Sequence, residues 1–75
     1  MVKQFIEALN DACNNSIHSV SMHRAFYIAL TVLGKKVINK EALDEAWLLI
    51  RAACFHGDFV ITPPNCFGKI FIVAK

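Results

Sequence analysis

The side chains best suited to metal binding or nucleophilic attack are three cysteines, Cys13, Cys54 and Cys66, and three histidines, His18, His23 and His56. Cys13, His18 and His23 are evenly spaced, and Cys54 and His56 precede Cys66 within one short segment. A structural zinc site draws its ligands from close pairs such as Cys-x-x-Cys or His-x-x-x-His, and neither pair occurs. Cys13 and Cys54 also fall on apolar helical stripes, so all three cysteines read as free thiols and no metal is expected. Cys66 lies in a loop, but a catalytic thiol needs a base held by a third group, and nothing near it in sequence supplies one. With no phosphate-binding glycine loop, no paired carboxylates beside a histidine and only three glycines, the chain reads as a non-enzyme without cofactor. A core this small also leaves little room for a small-molecule substrate.

Binding chemistry is better represented. His23, Arg24, Tyr27 and Thr31 recur at helical spacing on one face, which Lys35 and Lys36 extend. Cations, hydroxyls and one aromatic ring make a mixture suited to phosphate contact and stacking. The bland reading of the same face is the solvated side of an amphipathic helix, its lysines favouring the helix C-terminus. A second surface is apolar: Leu48 and Phe55, two turns apart on a later helix, project among Asp44 and Arg51. An aliphatic and an aromatic anchor with a charged rim is the pattern of a protein-binding ridge. Ile70 and Ile72 join it as contact residues, because the segment Lys69–Ala74 is apolar on both faces and must be covered twice or offer an edge.

These residues need elements to position them. Val2, Phe5, Ile6, Leu9, Ala12 and Cys13 define a first helix over Val2–Cys13, ended by Asn14-Asn15-Ser16. Ile17–Val20 is a short extended segment, and Ser21 caps a second helix with an inner stripe of Met22, Ala25, Phe26, Ala29, Leu30 and Leu33, closed by Gly34. Asn39 caps a third helix running to about Phe55, with Glu41, Asp44 and Glu45 in its first turns. Its inner stripe is Leu43, Ala46, Trp47, Ile50, Ala53 and Cys54, and Trp47 is expected as a core anchor. After His56-Gly57-Asp58, a β-hairpin follows: Phe59–Thr62, a loop Pro63–Gly68, and Lys69–Ala74. The expected fold is α+β: three helices packed on a C-terminal β-hairpin, one small domain over residues 1–75.

The order helix, short strand, helix, helix, hairpin resembles that of a winged helix-turn-helix, with Ile17–Val20 as a third strand. The resemblance implies a third helix in the major groove of DNA and the Pro63–Gly68 loop as a wing along the backbone. That helix carries Lys40 and then Glu41, Asp44 and Glu45, the wrong sign for phosphate, and Lys69 is the only cation flanking the loop.

Composition agrees with a folded binding protein. Of 75 residues, 56% are hydrophobic and 19% charged, which excludes a disordered chain. A chain of this length buries only about 60% of the surface its unfolded form exposes, so it cannot hide every large apolar residue, and some of the surplus is expected to meet a partner. The net charge of +2 is far from the dense basic stripe of an obligate nucleic-acid binder. Glu7 interrupts the N-terminal segment where a secretory signal would be apolar, and no apolar run approaches the roughly 20 residues that span a bilayer. With an odd number of cysteines, a cytoplasmic protein is expected. The function expected is regulation or inhibition by protein–protein contact through Asp44, Leu48, Arg51, Phe55, Ile70 and Ile72, with another protein or a homodimer as partner. The competing expectation is a winged-helix DNA-binding regulator using His23, Arg24, Tyr27, Thr31, Lys35, Lys36 and Lys69.

Overall fold

The computed structural model describes all 75 residues. Helix α1 spans Val2–Asn14 and buries Phe5, Leu9, Ala12 and Cys13, four residues on one face. Strand β1, Ser19–Ser21, leads directly into α2, Met22–Leu33. The Ser21 hydroxyl accepts from the Arg24 amide at 3.2 Å, and Gly34 ends the helix in the left-handed conformation at φ 72°. Helix α3 spans Lys40–Phe55 and opens on the Asn39 side chain, which accepts from the Ala42 amide at 2.8 Å. Both caps and both helix bounds match the sequence expectation.

The hairpin is shorter than its composition suggests. Strand β2 is Phe59–Ile61 and strand β3 is Phe71–Ala74, leaving residues 62–70 as the connection. Pro63 and Pro64 carry no N–H for a ladder, and the Asn65 side chain organises the turn instead, accepting from the Phe67 and Lys69 amides at 2.8 and 3.0 Å. Lys69 and Ile70 therefore lie outside the strand they were expected to begin.

The sheet order is β1-β3-β2, antiparallel throughout, with Val20 and Ile61 both opposite Ile72. Strand β3 is thus central, with partners on both edges, and its apolar character follows from that placement rather than from a free edge. β1 starts two residues later than the expected Ile17–Val20 and ends one later, because Ile17 and His18 take positive φ angles of 45° and 62° and turn the chain before the ladder begins.

Fifteen buried apolar residues form one core between the three helices and the inner face of the sheet, closed by Val20, Phe59 and Ile72. Helix α3 is rotated about its axis relative to the expected stripe. It buries Ala42, Ala46, Leu49, Ile50 and Ala53, whereas Leu43 and Trp47 are 41% and 38% exposed. Small side chains on the buried stripe, facing Ala25 and Ala29 of α2, let the helices approach closely. The larger Leu43 and Trp47 are left at the margin. Trp47 is therefore no core anchor; its ring stacks on Phe26, centroids 6.0 Å apart and planes 9° from parallel.

Candidate functional site

Between α2 and α3 lies an open apolar groove of about 550 Å³. Phe26 and Trp47 form one stacked wall; Leu30, Leu43, Tyr27 and Ile38 continue the lining, and His23 and Asp44 supply its polar edge. The volume falls within the range of small-molecule sites, so the expectation that a chain this size lacks such a depression does not hold. The groove is not legible in the sequence because Leu43 and Trp47 are expected in the core and Ile38 lies between Gly34 and Asn39, outside both helices. The signal for it was Val37-Ile38, two large apolar residues in a linker, each 69% exposed.

Asp44 belongs both to the groove and to the side of α3 turned away from the core. At 100° per residue, Asp44, Leu48, Arg51 and Phe55 lie opposite the buried stripe of Ala42, Ala46, Leu49 and Ala53. Leu48 is 63% and Phe55 91% exposed, as the ridge requires. Neither Asp44 nor Arg51 has an ion-pair partner within the chain, whose one salt bridge joins Lys35 and Glu45 at 2.6 Å. Groove and ridge are therefore adjoining strips of one surface.

Ile72 must be removed from the ridge. It is fully buried on the inner face of the sheet and has no surface to offer a partner. Ile70 is half-buried beside the shallow depression that Ser21, Met22, His23 and Lys69 also line, across the molecule's sheet end rather than on α3's outward stripe.

The polar face of α2 is present but divided. His23, Arg24, Tyr27 and Thr31 are all exposed. His23 and Tyr27 border the groove, while Arg24, Tyr27 and Thr31 line a second depression against Ala8 of α1. The Thr31 hydroxyl donates to the Tyr27 carbonyl at 3.0 Å, and Lys35 is held by Glu45, so two of the expected phosphate contacts are already engaged. Lys36 is exposed past the helix end, and Lys69 lines one depression with His23.

No three histidine, cysteine, aspartate or glutamate side chains converge where they could hold a metal ion. Burial pushes the thiols of Cys13 and Cys54 above their ordinary range, the Ala74 backbone hydrogen bond opposing it for Cys13 and the Lys75 charge for Cys54. Both are thus held in the protonated, unreactive form, and Cys66 alone is exposed. No helix is long and apolar enough to cross a membrane. Compared with protein families, curated proteins and solved structures, the chain has no match.

Proposed function

We propose that this domain is a small regulatory or inhibitory protein that acts by binding another protein chain through the outward face of α3 and the groove beside it. The observation that carries this reading is the composition of that face: exposed Leu48 and Phe55 beside a groove walled by stacked Phe26 and Trp47, with unpaired Asp44 and Arg51 at the rim. Large apolar side chains grouped next to a concave apolar surface lose water-exposed area only by docking a partner, and rim charges then set register. Its mechanism is occlusion or scaffolding. Three unpaired thiols fit a reducing cytoplasm.

The test uses Leu48→Asp and Phe55→Ser. Both residues are exposed, so each variant should keep the circular dichroism spectrum and a cooperative melt within several degrees of the wild type while losing the complex in affinity capture and size-exclusion chromatography. Unfolding of both variants would return the ridge to the core and remove the site.

A second reading is favoured by the element order and the sheet order β1-β3-β2, which suit a winged helix. In that reading α2 and the 62–70 loop hold a nucleic-acid backbone, supported by Lys69 and His23 lining one depression. Against it, α3 offers Glu41, Asp44 and Glu45 where base-reading donors are needed. Anisotropy of a labelled DNA duplex separates the two. Nucleic-acid binding requires an affinity that collapses steeply with salt and weakens in Arg24→Ala and Lys36→Ala alike across sequences; the protein-binding reading expects no such complex.

A further inference from the structure

We infer that the occupant of the α3 face is a second copy of this chain, docked through its own α3 in antiparallel orientation about a twofold axis; this rests on the reading of that face as a protein-binding surface. The argument comes from the order of residues along the helix. Lys40, Asp44, Leu48, Arg51 and Phe55 form one outward stripe, opposite the alanine-rich stripe that packs on the core. Asp44 and Arg51 are two turns apart, about 10.5 Å along the axis, and their midpoint falls between Trp47 and Leu48.

A twofold axis through that midpoint places Asp44 of each copy opposite Arg51 of the other, so one pair of residues forms two ion pairs. The same operation sets Leu48 against Leu48 of the other copy, since the axis keeps each flank of the helix with itself, and brings the ring of Phe55 level with the Lys40 side chain, a cation–π arrangement. Every member of the stripe thus meets a complement. Parallel docking in register would set Asp44 on Asp44 and Arg51 on Arg51, which like-charge repulsion disfavours. Within one copy both charges lack a partner, whereas Lys35 and Glu45 satisfy each other.

The area suffices. A standard interface takes about 800 Å² from each partner, about 15% of this protein's 5240 Å². On the stripe, Phe55 and Leu48, at 91% and 63% exposure, supply about 300 Å² of it. Lys40, Asp44 and Arg51, exposed on the same stripe, surround them.

Sedimentation velocity across a concentration series from low micromolar to submillimolar tests this with Asp44→Arg, Arg51→Asp and the double exchange. The wild type should dimerise. Each single reversal creates two like-charge contacts and should raise the dimer Kd about tenfold or more, and the double exchange should restore it to within a few-fold of wild type. Circular dichroism confirms that each variant stays folded. A wild type that is monomeric throughout, or a dimer indifferent to the single reversals, or a double exchange that fails to rescue, overturns the proposal. A monomer whose complex with a different protein still requires Leu48 leaves the α3 surface standing and removes only the second copy. A dimer unaffected by the reversals and by Leu48→Asp removes both.

Discussion

Leu48 and Leu49 are neighbours in sequence with opposite fates, and truncating each to alanine measures the rotation of α3 directly. Leu49 is 7% exposed within the core, and Leu48 is 63% exposed on the outward stripe. Removing a buried leucine side chain loses its transfer free energy and leaves a cavity, together about 2–5 kcal/mol. Leu48 has less than two-fifths of its surface to lose and leaves no cavity, so its truncation costs about 0.5–1 kcal/mol. The gain in helix propensity is the same small term at both sites and cancels in the comparison. A domain of 75 residues holds about 4–11 kcal/mol in total, so Leu49→Ala should lower the urea midpoint steeply while Leu48→Ala barely moves it. Urea titration followed by far-ultraviolet circular dichroism, at a protein concentration low enough to keep the chain monomeric, reads both midpoints. Equal losses, or the larger loss at position 48, would refute the packing of α3 described above.

Other expectations follow from the same physical terms. Ile17 is β-branched, 95% exposed and held at φ 45°, so Ile17→Gly removes strain without losing packing and should stabilise the fold by about 0.5–1 kcal/mol in the same titration. Asn39→Ala deletes the acceptor for the Ala42 amide and should cost about 1 kcal/mol, with amide exchange rising in the first turn of α3. Because burial raises the Cys13 and Cys54 thiols above 9.0, the unfolded chain ionises first on the alkaline side; their stabilising contribution is complete below pH 9 and lost as pH climbs through the folded values. Urea midpoints that stay level across that range would contradict it, as would alkylation of Cys13 at the rate of exposed Cys66.

The helices were legible in the sequence because their punctuation is chemical: Ser21, Gly34 and Asn39 cap where they were expected to, and apolar spacing located all three elements. The third strand was legible only as a short extended segment, since its partner β3 lies about fifty residues further along and local pattern carries no pairing information. The rotation of α3 was not legible. The expected stripe and the buried one share Ala46, Ile50 and Ala53; they differ in whether Leu43, Trp47 and Cys54 or Ala42 and Leu49 flank that line, and hydropathy favours the flank with the larger side chains. Close packing against Ala25 and Ala29 favours the other, and that preference exists only once the helices meet. The groove was lost for the same reason, while Leu48 and Phe55 stood out because they lie on neither stripe. Ile72 was placed on a partner surface because a strand apolar on both faces reads alike whether it is an edge or the centre of a sheet.

The most direct test of α3 as a protein-binding surface is photo-crosslinking in living cells, with a photoreactive phenylalanine analogue replacing Phe55 and, as a control, Phe67, which is exposed at the far loop. The account predicts a discrete protein adduct from position 55, either a second copy of this chain or one other protein, and none from position 67. No protein adduct at position 55, with nucleic-acid adducts instead when the analogue replaces Tyr27 on α2, would contradict it.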